Sequence, residues 1–179
     1  DPRQSDTALA AADEWIAIRP STDSALADAM CYVIRERKLY DKKFIDRFCI
    51  GFDEEHLPDG ISSGESYFAY LDGAKDGIAK TPEWAEKITG VPAQTIERLA
   101  VEYAESRYAC ILPGLGPQRT LNGEQTYRSI MTLPCLVGSL EKPGGGVITW
   151  ERPASPQPEL PPFENPYPTT IPAFQWWRT

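Results

Sequence analysis

Apolar positions along the chain follow two patterns. In the first they recur at helical spacing. Leu26, Ala29, Met30, Val33, Ile34 and Leu39 fall on one side of a helix that starts after Asp23, with Arg35, Glu36 and Arg37 mostly on the other. The same spacing returns at Ile96, Leu99, Ala100 and Tyr103. It returns again at Tyr127, Ile130, Met131 and Leu133 to Val137, where Pro134 is expected to kink the helix. Phe44, Ile45 and Phe48 predict a shorter helix, and Ala8–Ala12 another after an opening turn. In the second pattern the apolar residues cluster. Trp15, Ile16 and Ile18, and the run Tyr108–Leu112, read as two short buried strands.

Turn and cap residues divide these elements. Thr81-Pro82-Glu83 has the make-up of a helix start: a hydroxyl cap, proline in the first turn and an acid against the dipole. Gly90 and Gly138 are stop signals, and Pro92 opens the helix through Ile96. Asp53–Gly77 is rich in Gly, Ser, Asp and Glu. It reads as an excursion from the core with one short helix around Tyr67, Phe68, Tyr70 and Leu71. Val147–Trp150 predicts a last short strand. Strands each followed by helices give an α/β fold, a Rossmann-like parallel sheet flanked by helices. So small a sheet is incomplete, so the chain is expected to be a piece of a larger protein. Residues 1–150 form the expected domain. Residues 151–179 hold eight of the 17 prolines and have no periodicity. They predict an extended segment whose aromatics, Phe163, Tyr167, Phe174, Trp176 and Trp177, pack on a neighbouring surface.

Composition narrows the function. With 179 residues, 41% of them hydrophobic, the chain can build one proper core. A net charge of −8 argues against nucleic acid or an anionic membrane as partner. No apolar run reaches the length of a bilayer span, so direct membrane insertion is not expected. The four cysteines, Cys31, Cys49, Cys110 and Cys135, form no C-x-x-C pair, and buried free thiols are expected. The single histidine, His56, falls in a polar loop and is expected to be solvated. Asp53, Glu54 and Glu55 read as a solvated charge run. No phosphate loop, no nucleophile beside a base and no metal cluster is present, so no catalytic and no metal-ligating residue is assigned.

If the two strands are parallel, three loops meet at one sheet edge: Asp1–Arg3, Pro20–Asp23 and Gly114–Arg119. Asp23 offers two acceptor oxygens and no donor, which matches the ring N–H and exocyclic amine of guanine. The competing reading is that Ser21, Thr22 or Asp23 only caps the following helix. Asp1 stands where a dinucleotide fold places its ribose-binding acid, if a strand precedes it. Arg119 is able to hold a phosphate or an oxygen-rich ring by two parallel bonds, beside the amide of Gln118. Gly114 and Gly116 would let backbone approach a ligand, or they simply make a turn.

These residues, taken in order, resemble the dimethyl sulfoxide reductase family of molybdopterin oxidoreductases. The resemblance is carried by Asp1-Pro2-Arg3, Ala12–Leu26, Lys80–Ala85 with Thr89–Ala93, Gly116–Arg119 with Asn122–Glu124, Lys142–Gly146, and Glu164–Trp176. It implies molybdenum held by two molybdopterin guanine dinucleotides and oxygen-atom transfer from a sulfoxide or N-oxide. Electrons would arrive through iron–sulfur clusters, with a 4Fe-4S cluster outside this stretch. The family's guanine-binding loop corresponds to Pro20-Ser21-Thr22-Asp23, with Ser21 where glycine is common. Gln118 and Arg119 correspond to a pair near the pterin. The implied cofactor-binding set is therefore Asp1, Arg3, Pro20, Thr22, Asp23, Gly116, Gln118 and Arg119. The resemblance also implies an iron–sulfur electron-transfer subunit and a membrane anchor subunit as partners, at the periplasmic face of a bacterial cytoplasmic membrane. The metal and cluster ligands would lie elsewhere in the longer protein, so this stretch alone is expected to bind no molybdenum and to be inactive. The alternatives are a stand-alone nucleotide-binding α/β module without redox chemistry and a scaffold piece that docks another subunit.

Overall fold

One helix, α2 (Asp23–Glu36), runs through the middle, and the other elements pack around it. The computed structural model describes residues 1–148. The elements are α1 (Asp6–Ala11), α2, α3 (Lys42–Phe48), α4 (Tyr67–Leu71), α5 (Pro82–Thr89), α6 (Ala93–Glu105), β1 (Cys110–Ile111), α7 (Gly123–Leu136) and β2 (Gly146–Val147). Short 3-10 turns occur at Glu54–His56, Pro117–Arg119 and Ser139–Glu141. Buried Ala27, Met30, Cys31 and Ile34 recur along α2 at three- and four-residue steps, so one face meets α5, α6 and α7. The strands pair in parallel, Cys110 with Gly146 and Ile111 with Val147, and α7 makes the crossover. The architecture is mixed α/β, with helices against a small parallel sheet.

Cap chemistry places most helix starts as expected. The Asp41, Ser66 and Thr81 side chains accept from the N–H of Phe44, Ala69 and Trp84. Gly90 takes φ 77 and Gly138 φ 62 just past their helices. Pro134 lies inside α7, which continues to Leu136.

Several expectations fail in instructive ways. Trp15–Ile18 is not a strand of the sheet. Among the described residues it has no ladder partner, since β1 and β2 pair only with each other, and its Trp15 indole donates to the Asp1 carbonyl at 2.9 Å. The run Tyr108–Leu112 is not buried throughout. With one neighbouring strand among the described residues, Ala109 is buried while Tyr108, Cys110 and Leu112 are exposed. The excursion 53–77 returns to the core: Leu71 is fully buried, and Phe52 packs edge-on against Tyr67 and Phe68. His56 is half-buried, its Nδ1 2.7 Å from Asp53 Oδ1. The Pro-rich segment 151–179 and the Thr149-Trp150 end of the last predicted strand lie outside the described residues. Among the described residues no helix is long and apolar enough to cross a membrane.

Glu54 stays exposed, and it also takes local partners. It accepts from Gly64 N at 2.7 Å, Ser66 N at 3.3 Å and Ser63 Oγ at 3.1 Å. These donors, Ser66 and Gly64 foremost, hold its carboxyl down to about 2 from an ordinary value of 4.5. A lowered folded value means that the clamp stabilises above the ordinary value and is lost as pH falls toward the folded one. Glu54→Gln is therefore expected to speed amide exchange in residues 54–66 at neutral pH. It should also remove the acid-induced loosening that the parent sequence shows between pH 4.5 and about 2. Equal exchange in the two proteins at pH 7 would refute the clamp.

Candidate functional site

The three loops singled out from the sequence do meet. They surround a cleft of about 790 Å³, in the range of nucleotide and small-ligand sites. Asp1 and Pro2 close one side, Pro20, Ser21 and Asp23 a second, and Pro113–Pro117 a third. The floor is apolar and comes from helix faces: Leu26, Ala27 and Met30 of α2, Tyr103 of α6, and Ile130 and Leu133 of α7. These floor positions carried only a core signal in the sequence. Their helical spacing does not tell which part of a buried face is left open.

Asp23 is the first residue of α2. It does not cap the helix. The N-cap is Thr22, which makes no side-chain cap bond, and the first turn is closed by Ala25 N on the Thr22 carbonyl at 3.1 Å. The Thr22 hydroxyl donates back to the Arg19 carbonyl at 2.7 Å and so ties the loop across its base. Arg19 fixes that base on α5: its N–H donates to the Thr89 carbonyl at 2.9 Å, and Nη1 to the carbonyls of Lys87 and Ile88 at 2.7 and 3.1 Å. Between them Ser21 takes φ 64, a left-handed conformation that costs a non-glycine residue roughly 1–2 kcal/mol. The loop is thus held in a strained shape that presents a carboxylate with no hydrogen-bond partner among the described residues. Arg19 was not singled out in the sequence, because a basic residue before a proline gives no pattern of its own.

The remaining predicted residues divide. Asp1, Pro20 and Gly116 line the cleft with Asp23, whereas Arg3, Thr22, Gln118 and Arg119 do not. Arg3 N donates to Asp1 Oδ1 at 2.9 Å, which fixes the Asp1 carboxylate in a local turn. Gln118 and Arg119 sit in the exposed 3-10 turn just beyond the rim. Gly114 needs its glycine, with φ 67, and its carbonyl accepts from the Tyr127 hydroxyl; Gly116 has an ordinary helical φ of −56.

Gly123 positions this rim. A Cβ there would lie 2.4 Å from the Gln118 carbonyl oxygen and 2.6 Å from its Cα, which are backbone atoms without a rotamer to move away. Gly123→Ala is expected to destabilise by about 1–3 kcal/mol through overpacking and to shift the Pro117–Arg119 turn. Thermal unfolding together with amide exchange at 114–120 checks both effects. Unchanged exchange there would show that α7 yields instead.

Asp46, Asp53 and His56 form a second cluster, with one ligand atom of each within 4.8 Å of the others. Lys42 pairs with Asp46 at 2.8 Å, and Asp53 caps the turn that holds His56, so internal bonds account for the group.

The chain matches the molybdopterin oxidoreductase family over residues 1–155. It is 46% identical to the dimethyl sulfoxide reductase DmsA of Haemophilus influenzae, over 98% of this chain and 22% of that protein. It is 36% identical to a trimethylamine-N-oxide reductase of the same organism, over 82% of this chain and 16% of that protein. The acetylene hydratase of Pelobacter acetylenicus superposes with a TM-score of 0.65 at 28% identity, covering 80% of this chain and 17% of that structure. The chain spans about a fifth of the length of the dimethyl sulfoxide reductases it matches.

Proposed function

The chain belongs to the molybdopterin oxidoreductase family, and we propose that it builds part of a guanine nucleotide site in a molybdenum enzyme that reduces sulfoxides or N-oxides. The observation that carries the reading is Asp23, a carboxylate that caps nothing and lines a cleft framed by proline and glycine backbone. A buried base with two N–H donors fits two acceptor oxygens, and the flat faces of Pro20 and Pro113 suit an aromatic ring.

The residues present fit the cofactor that the family carries. Asp23 would take the guanine edge, the Gly114–Gly116 backbone would lie along the nucleotide, and Arg119, just outside the rim, would neutralise phosphate once the site is filled. When bound, the molybdenum–pterin group supplies oxygen-atom transfer coupled to two electrons. This chain orients the nucleotide end and keeps water from it with the apolar floor. Asp1 is held by the Arg3 N–H as a further acceptor for a ribose hydroxyl. Electron delivery through an iron–sulfur subunit and a membrane anchor at the periplasmic face belongs to the same proposal. The identity to dimethyl sulfoxide reductases supports the substrate class alone.

The test is chemical. Full-length enzyme should release guanine nucleotide on acid hydrolysis in fixed ratio to molybdenum, and should oxidise a reduced viologen with dimethyl sulfoxide or trimethylamine N-oxide. Molybdenum without guanine nucleotide would overturn the assignment of the cleft. Reduction of neither acceptor would overturn the substrate class.

A further inference from the structure

A helix ends in carbonyls that have no partner within it, and the end of α5 gives its last ones to a single residue outside it. Arg19 Nη1 donates to the Lys87 and Ile88 carbonyls at 2.7 and 3.1 Å, and Arg19 N to the Thr89 carbonyl at 2.9 Å. The guanidinium lies along the turn that Gly90 makes with φ 77, where a Cβ would stand 3.6 Å from Arg19 Nε. A cation at this end also meets the negative pole of the helix dipole. The Arg19 carbonyl accepts from Thr22 Oγ1 at 2.7 Å, and the Thr22 carbonyl accepts from Ala25 N at 3.1 Å. A chain of bonds thus runs from the end of α5, through Arg19 and Thr22, to the first turn of α2, which carries Asp23. Ser21 stands inside that chain at φ 64. Without such ties a serine prefers negative φ.

We propose that Arg19 is a positioning residue for the nucleotide: its bonds to the end of α5 hold Ser21 in the left-handed conformation, and that conformation aims the Asp23 carboxylate into the cleft. The inference rests on reading the cleft as a guanine nucleotide site. Arg19 does not line the cleft, so it acts through the loop and not on the ligand. Its effect on retention is therefore bounded by the strain at Ser21. Without Arg19 the loop relaxes, and binding must strain it again. Retention should weaken by about tenfold, the size of the penalty on a left-handed serine. Glycine carries no such penalty, so with glycine at position 21 the need for Arg19 should disappear.

Arg19→Met in the full-length enzyme removes the side-chain donors and keeps an unbranched side chain. Arg19 is exposed, so no cavity opens and the fold should stay intact. The rate at which guanine nucleotide is lost in mild urea should rise about tenfold. Arg19→Lys keeps a cation with donors at the end of α5 and should stay near the unaltered enzyme. Ser21→Gly added to Arg19→Met should bring the rate back. Amide exchange at Ala25, whose N–H reports the bond to the Thr22 carbonyl, should follow the same order. An unchanged rate of nucleotide loss in Arg19→Met would overturn the proposal, and so would a faster loss that Ser21→Gly does not restore. If the unaltered enzyme releases no guanine nucleotide, the reading of the cleft fails by itself, and exchange at Ala25 still decides the tie. Faster exchange in Arg19→Met that Ser21→Gly restores would uphold it, and unchanged exchange would overturn it.

Discussion

Asp23→Asn in the full-length enzyme is expected to retain far less of the guanine nucleotide proposed for the cleft, while the fold stays intact. A carboxylate that accepts two N–H groups makes two charge-assisted bonds, each worth about 1.5–3 kcal/mol. Asparagine keeps one acceptor and turns a donor toward a donor. A net loss of about 3 kcal/mol corresponds to roughly a hundredfold weaker retention. The helix itself has little at stake. Asp23 makes no cap bond, and an acid in the first turn contributes only about 0.3–1 kcal/mol through the dipole. Nucleotide released per molybdenum, measured beside the melting temperature, separates the two effects. Wild-type nucleotide content in Asp23→Asn would show that this carboxylate does not read the base.

The loops of this site were legible from sequence because their residue types say where a chain turns and what it offers there. Pro20 followed by Ser-Thr-Asp fixed the start of α2, and Gly114 with its φ of 67 is a turn that needs glycine. What the side chains do inside those loops was not legible. Asp23 and Thr22 are both good cap types. Only the three-dimensional course shows Thr22 bonded back to Arg19 and Asp23 left without a partner. The strands were harder. A parallel strand is defined by its neighbour, and the pairing of Cys110-Ile111 with Gly146-Val147 leaves no ladder partner for Trp15–Ile18 among the described residues. Buried charges were missed for the same reason. Lys80 is fully buried, with Nζ 2.6 Å from both Asp76 Oδ2 and the Ile78 carbonyl, just past the stretch read as an excursion from the core.

The largest effect on stability is expected at Asp28, one turn beyond Asp23 on α2 and 3% exposed. Its Oδ1 accepts from the Tyr67 hydroxyl at 2.8 Å and its Oδ2 from the Tyr70 hydroxyl at 3.0 Å, so one carboxylate fastens α4 to α2. Tyr67 reaches on to Thr132 of α7 at 3.2 Å, and Thr132 to Cys31. Asp28→Ala strips the Tyr70 hydroxyl of this partner, leaves Tyr67 with Thr132 alone and opens a gap. At about 1–3 kcal/mol for each group left unsatisfied, the total loss is about 3–5 kcal/mol. Asp28→Asn keeps the shape and should cost far less, with a difference that depends on pH. Burial outweighs the two tyrosine bonds and Lys80, so the Asp28 carboxyl titrates above its ordinary range. A raised folded value means that the protonated acid stabilises at low pH, and that this stabilisation is lost as pH rises through the folded value. Asparagine does not titrate. The melting temperature of Asp28→Asn should therefore gain on that of the parent sequence as pH rises from about 4 toward neutrality, and that of Asp28→Ala should stay far below both. A constant gap between Asn and Asp across that range would show that the buried acid does not titrate there. A small loss in Asp28→Ala would show that α4 is held by Leu71 and Phe52 without it.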